Sequence, residues 1–328
     1  MFTGIYDQFD NSQQQLNPRK YEILSMDFEY DPGFKVALGY DFGCDGWGIS
    51  AEYTRFHQTV KSSKNLSDRT GILQDGSSTS QIVPGWFFNN NSSFGNYRFA
   101  VTSIQTADAS WKLSVDLLDI ELSRSAYMGK CLIMRPYSGL RAGWIDQNYS
   151  AKYKGFEEFT PAPGDFNNYQ MNEKVDSWGI GPLIGLDLKW LLSCGFSFIS
   201  EFSLSTLYTE YDINVEAFRQ ITTSGSLINP DNSDYCYDDD QCYIRPQMAL
   251  TLGFSWEDYF CCQKYYGFLF AGYTFNIFWD QNMFLNYQLG NFAPPTTGYG
   301  AGNINQQIVA EGGNLYLHGF TLTARMDF

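Results

Sequence analysis

The stretch from Asn314 to Phe328 constrains the fold more than any other part of this chain. One parity carries Tyr316, His318, Phe320, Leu322, Ala324, Met326 and Phe328, and the other carries Leu317, Gly319, Thr321, Thr323, Arg325 and Asp327. Successive side chains of a strand point to opposite faces, so the stretch predicts a strand with one apolar face and one mostly small and polar face. A soluble sandwich would use the same alternation. The rest of the chain decides between the two.

Aromatic residues make up 18% of the 328 residues, 23 Tyr and 27 Phe among them, while mean hydropathy is slightly negative at −0.30. A soluble domain rarely needs so many large rings, and a helical membrane protein would be strongly apolar. A transmembrane barrel satisfies both observations, because alternate residues face lipid, the others face a polar interior, and aromatic girdles mark both interfaces. No apolar run is long enough for a spanning helix. The net charge of −15, from 36 acidic and 21 basic residues, argues against nucleic-acid binding through a basic surface. The start, Met-Phe-Thr-Gly, shows no secretory leader, so an exported chain implies a processed form with an added Met or a truncated gene start.

Residues 1–20 are polar and aperiodic and read as a loop or unstructured lead-in. Leu24, Met26, Phe28 and Tyr30 suggest a first strand over 21–30, followed by the break Asp31-Pro32-Gly33. Phe34, Val36, Leu38, Tyr40 and Phe42 then alternate with Lys35, Ala37, Gly39 and Asp41. Cys44-Asp45-Gly46 is a tight turn. Trp47 to Tyr53 form the next strand. Trp111, Leu113, Val115 and Leu117 are apolar on one parity, and Leu118, Ile120 and Leu122 on the other, which predicts a bulge between them. Further rows run from Leu132 to Trp144, Trp178 to Trp190, Phe196 to Tyr208, Ile244 to Trp256 and Leu269 to Trp279. The row from Trp178 to Trp190 is the clearest, with a Trp at each end where interfacial girdles sit. Pro136, Pro182 and Pro246 fall inside strands and predict bulges or bends.

Short connections near 44–46, 124–130, 193–195 and 257–264 alternate with long ones near 58–107, 149–174, 213–241 and 281–311. Outer-membrane barrels have short periplasmic turns and long outward loops, so the fold class is all-β, a single antiparallel transmembrane barrel of about ten strands over 1–328. If 1–32 is instead the first outer loop, the opening strand is missing, and two sheet edges would meet lipid at a cost.

Three blocks carry a family resemblance: Asp31-Pro-Gly-Phe-Lys-Val-Ala-Leu-Gly-Tyr-Asp-Phe-Gly, Met134-Arg-Pro-Tyr-Ser-Gly-Leu-Arg-Ala-Gly-Trp-Ile-Asp-Gln-Asn-Tyr and Trp178-Gly-Ile-Gly-Pro-Leu-Ile-Gly-Leu-Asp-Leu-Lys-Trp. Together with Leu117-Leu-Asp-Ile-Glu-Leu they resemble the Legionella-type pore-forming outer-membrane proteins, which are related in architecture to the chlamydial major outer-membrane porins. The match covers most strands but not the loops. It implies an outer-membrane location in contact with lipid and lipopolysaccharide, passive diffusion of small hydrophilic solutes or ions, a strand ahead of the Asp31 block, and no catalytic residue or cofactor. The terminal Phe328 resembles the closing residue that the barrel assembly machinery reads.

The inward parity collects Lys35, Lys112, Arg135, Arg141, Lys189, Arg245 and Arg325 with Asp41, Glu52, Asp116, Asp119, Glu121, Asp187, Glu201 and Asp327. These charges either set a transverse field in a channel or pair to fill a narrow interior. Arg135 and Arg141, beside Asp119 and Glu121, are the best candidates for a constriction or an internal salt-bridge cluster. Cys236 and Cys242 share one loop and are candidates to pair with each other. Cys44, Cys131, Cys194, Cys261 and Cys262 gather at the periplasmic side, where crosslinks between molecules would resemble the disulfide-linked chlamydial envelope. The alternative function is therefore a structural or adhesive barrel with a closed lumen, alone, as a homo-oligomer or crosslinked at its rim. Asp231, Asp234 and Asp238 to Asp240 match no calcium loop and read as a solvated acidic surface, so no metal is assigned. His57 and His318 are the only histidine bases and have no partner motif, so an enzyme is not expected.

Overall fold

The period-two stretches become long strands in a computed structural model that describes residues 3–10, 15–43, 45–65, 81–83, 103–156, 166–223, 226–227, 233–260, 265–289 and 306–327. The strands are β1 (Thr3–Asp10), β2 (Gln15–Leu24), β3 (Phe34–Asp41), β4 (Trp47–Asn65), β5 (Gln81–Val83), β6 (Ser103–Arg124), β7 (Ala126–Tyr127), β8 (Leu132–Phe156), β9 (Phe166–Ser193), β10 (Phe196–Thr223), β11 (Ser226–Leu227), β12 (Ser233–Phe260), β13 (Tyr265–Leu289) and β14 (Gln306–Asp327). All fourteen belong to one sheet. Its body is an antiparallel run in which β3, β4, β6, β8, β9, β10, β12, β13 and β14 each pair with the next. Short turns close one end. Asp45, Gly46, Cys194 and Gly195 take positive φ there, the conformation that tight hairpins need.

The sheet curls on itself, because side chains from strands far apart in its order meet inside. Arg141 Nη1 of β8 lies 3.5 Å from Gln247 Oε1 of β12, Gln281 Nε2 of β13 donates to Ser177 Oγ of β9 at 2.9 Å, and the rings of Tyr149 and Phe284 are 6.3 Å apart. Tyr30, just ahead of β3, reaches His318 of β14 at a ring distance of 6.1 Å. The two ends of the sheet thus come to one seam. Among the described residues no ladder joins β3 to β14.

Several strands are 25 to 28 residues long, whereas about 9–11 residues cross a bilayer. Each has two zones. Near the short turns the apolar parity points outward: Leu140, Trp144, Trp178, Ile180, Ile184, Trp190, Leu252, Phe254, Leu269 and Phe320 are all exposed. Trp144 and Trp178 are ladder partners, and beyond them Asp146 and Asp176, also partners, mark the end of the lipid belt. In the outer zone the apolar parity points inward and forms the core, from Trp111, Leu113, Val115, Ile145, Tyr149, Met171, Val175, Tyr211, Ile213 and Val215 with others.

Four sequence expectations are corrected here. No bulge separates Leu117 from Leu118, since the ladders of β6 to β4 and β8 run through them without a shift; the change of apolar parity is the boundary between the two zones. Pro136, Pro182 and Pro246 sit in ladders that keep their register, because a missing N–H removes one hydrogen bond without displacing the strand. Within 1–20 the described residues 3–10 and 15–20 are not an unstructured lead-in: β1 pairs with β2 and with β5, a polar sequence being no obstacle to backbone pairing at an outer edge. The strand over 21–30 is replaced by the end of β2 and an extended segment over 25–33 without ladder bonds.

Candidate functional site

Within the lipid belt, small residues such as Ser203, Ser205, Ser255, Thr251 and Thr274 point inward and are buried, which leaves room for long charged side chains between them. Asp119 and Arg141 are ladder partners on β6 and β8 and form a bidentate pair, Nε to Oδ1 and Nη2 to Oδ2, both at 2.7 Å. Their side chains are only 6% and 10% exposed. Arg141 Nη1 also donates to Ser205 Oγ at 3.3 Å, so this guanidinium ties β6, β8, β10 and β12 together across the interior. Such a fork satisfies most donors of a buried arginine, which is the condition for keeping it there.

A second row runs along the hydrogen-bonding direction through Arg135, Asp187, Glu201 and Thr251. Arg135 Nε donates to Asp187 Oδ2 at 2.7 Å. Lys35 pairs with Glu52 at 3.0 Å, and Lys189 pairs with Glu257, which also accepts from the Tyr266 hydroxyl. Glu121 accepts a hydrogen bond from Ser50 Oγ at 3.4 Å. Among the described residues neither Glu121 nor Glu201 has a cation within ion-pair distance. The belt interior is therefore polar with an acidic excess.

Arg245 lies higher. It is buried, donates to the Tyr211 hydroxyl at 3.1 Å, and its guanidinium carbon sits 4.4 Å from the ring centroid of Tyr243. It joins the polar belt to the apolar outer core rather than the constriction. That core was the functional feature missed in the sequence, and the parity change at Leu117 and Leu118 was its signal. Inside it Gln147 is buried with neither amide atom bonded to another described protein group.

Other expectations fall differently. Lys112 is exposed on the outward parity, and Asp116 accepts from the outward Tyr53 hydroxyl at 2.5 Å; both were expected inside and both follow the reversal of parity above the belt. Arg325 bonds to Asp327 on its own strand. Cys236 and Cys242 do not form the intraloop pair: they lie on the single strand β12, and six residues at about 3.3 Å each separate them by roughly 20 Å, far beyond disulfide reach. Cys131 and Cys194 are exposed, unbonded thiols at the short-turn end. Cys44, Cys261, Cys262, Asp231 and Phe328 lie outside the described residues.

Asp238 and Asp240 are exposed, and Asp239 between them accepts from Gln241 Nε2 at 2.7 Å and the Tyr237 hydroxyl at 2.8 Å, which hold its carboxyl below the ordinary carboxylate range. Among the described residues no group of His, Cys, Asp and Glu gathers in a metal-binding arrangement. His318 faces outward and shares a 2.5 Å hydrogen bond with the Tyr273 hydroxyl, while His57 is exposed on β4.

No curated protein and no solved structure shows significant similarity to this chain. The family described as Legionella pneumophila major outer membrane protein precursor matches residues 3–328, nearly the whole length, in agreement with the apolar belt, the antiparallel sheet and the alternation of short turns with long outer connections. The chain belongs to the Legionella major outer-membrane protein family, and its place is the bacterial outer membrane.

Proposed function

We propose that the protein is a narrow, cation-preferring diffusion channel, sealed at its outer end by the apolar core. The observation that carries this reading is the polar belt interior in which Glu121 and Glu201 face the lumen without an ion-pair partner among the described residues. Carboxylates without a direct ion-pair partner along a pore wall favour cations and oppose anions while they are ionised. Above them the side chains of Leu113, Tyr211, Ile213 and Val215 leave no more than 1% of their surface exposed, and a constriction of that chemistry closes by excluding water. The same core favours a second reading, a structural barrel that never conducts.

Planar-bilayer recording of the refolded protein separates them. Brief, small conductance steps are expected from the native protein, and longer open times from a Leu113→Ser/Ile213→Ser variant that wets the seal. Silence from both proteins, once each is shown to be folded and inserted, would establish the closed barrel.

A further inference from the structure

The wall changes its construction between β12 and β13. Their ladder runs from Phe260 with Tyr265 to Gln247 with Phe278 and ends there. Beyond it the two strands separate. β12 continues outward to Ser233 on the β10 ladder alone, while β13 shifts register against β14 between Phe278 and Asn282, with Asp280 in the left-handed region at φ 51°. After that corner β13 leans into the lumen: Gln281 and Met283 are 2% and 4% exposed, Gln281 donates to Ser177 of β9, and Phe284 meets the ring of Tyr149 on β8. Arg245, with Asp280 at 3.8 Å, stands at the point of departure. The outer hairpin of β13 and β14 thus supplies part of the apolar core. Among the described residues no strand pairs with the second edge of β12 over 236–245.

That edge stands in water rather than in hydrocarbon. Ile244, 69% exposed, is the last apolar residue of the outward parity, and Cys242, Asp240, Asp238 and Cys236 follow it outward, all exposed. An antiparallel strand directs about half of its N–H and C=O groups to each side, so about five of each point to the open side over this stretch. Such a row is a template for another chain. Its charge decides which chain. Asp212 and Glu210 of β10 are the ladder partners of Asp240 and Cys242, and no Lys or Arg occurs between Arg219 and Arg245. A second copy would bring the same aspartates against these, and like charges directly opposite each other are unfavourable. A strand with lysine or arginine at those positions meets the opposite sign.

We propose that residues 236–245 are a docking edge for an extended basic peptide of another molecule, which adds a strand to the sheet outside the bilayer. Backbone hydrogen bonds supply the attachment, and alternate side chains supply the choice. Outward, basic residues face Asp238 and Asp240. Inward, the added strand lies beside Tyr237, Asp239, Gln241 and Tyr243, which are already tied to one another: Tyr237 and Gln241 donate to Asp239 at 2.8 and 2.7 Å, and the Tyr243 hydroxyl donates to Gln241 at 2.9 Å. This row is held in place before a partner arrives, so little further ordering is needed on binding. Hydroxyl or aromatic residues suit it as cross-strand neighbours.

The test is independent of conduction. The refolded protein in phosphatidylcholine vesicles is titrated with a fluorescent peptide of about eight residues, alternating Lys with Tyr and Thr, roughly the length of one strand. Saturable binding is expected. Of the two alternately N-methylated forms of this peptide, which keep its charge and lose half of its donors, one should bind at least about tenfold more weakly. Asp238→Asn/Asp240→Asn, at exposed positions, should weaken binding roughly threefold to tenfold. Hydrogen exchange reads the edge itself: alternate amides of 236–244 should exchange freely in the protein alone and slow when the peptide is bound. Undiminished binding of both N-methylated forms would reduce the effect to surface charge and overturn the proposal. So would an absence of binding to protein shown to be folded by heat-modifiable migration, or protection of every amide of 236–244 in the protein alone.

Discussion

Arg141 shows what a buried charge does in this barrel. Its fork on Asp119 and its contacts to Ser205 and Gln247 place one cation where four strands converge. Arg141→Ala is expected to cost about 3–5 kcal/mol, since it strands the Asp119 carboxylate in the interior, and Asp119→Leu/Arg141→Met should recover most of that loss in urea unfolding from lipid vesicles. Asp146 offers the opposite case. It faces Asp176 directly across β8 and β9, above the lipid belt, and burial together with the Asp176 charge raises its pKa above the ordinary 3.8. The native state therefore holds this proton more tightly than the unfolded chain does, and stability falls as pH rises through the window that opens at 3.8. Asp146→Asn removes the fall. The variant should unfold at a higher temperature than the parent near pH ~7 and at the same temperature well below the window, followed by circular dichroism.

At the level of the strand, parity is the controlling variable, and it has opposite meanings in the two zones. On β9, Ile184 faces lipid and is 57% exposed while its neighbour Leu183 is 1% exposed. Ile184→Arg should cost about 2–4 kcal/mol near the bilayer midplane, falling toward zero for the same change at the belt's outer limit, a gradient measurable by vesicle unfolding. This parity was legible in the sequence wherever one face is lipid and the other polar, as from Trp178 to Trp190. It was misread on β6, where Trp111 to Leu117 are apolar because they meet a core and Leu118 to Leu122 because they meet lipid. A period-two pattern records that a face is dry, and says nothing about whether lipid or protein dries it. The inward charges were legible by the same alternation, but their partners were not: that Asp119 meets Arg141 and Asp187 meets Arg135 depends on register between strands, which local sequence does not carry. The segment 25–30 was the hardest to place, because its alternation suits a lipid-facing strand and the structure holds it inside.

The molecule as a whole stacks two unlike interiors, a charged one within the bilayer and an apolar one above it. On the proposed channel reading, an ion entering from the periplasmic side would meet Glu201 and Glu121 before the seal, with Arg135 and Arg141 already committed to Asp187 and Asp119. On that reading the carboxylates outside the ion pairs, not the arginines, would set the sign of the field along the path. Reversal potentials in a salt gradient should indicate cation preference for the parent protein. Glu201→Lys should move the reversal toward anions, Glu121→Gln should move it in the same direction by less, and the double variant should move it further than either but not by their sum, because both carboxyls face Arg135 and Asp187. Raising the ionic strength should shrink all these differences as counter-ions screen the wall. An unaltered reversal potential in Glu201→Lys, in a protein that still conducts, would assign the selectivity to the arginine pairs instead, and with it the narrowest point of the path to Arg141.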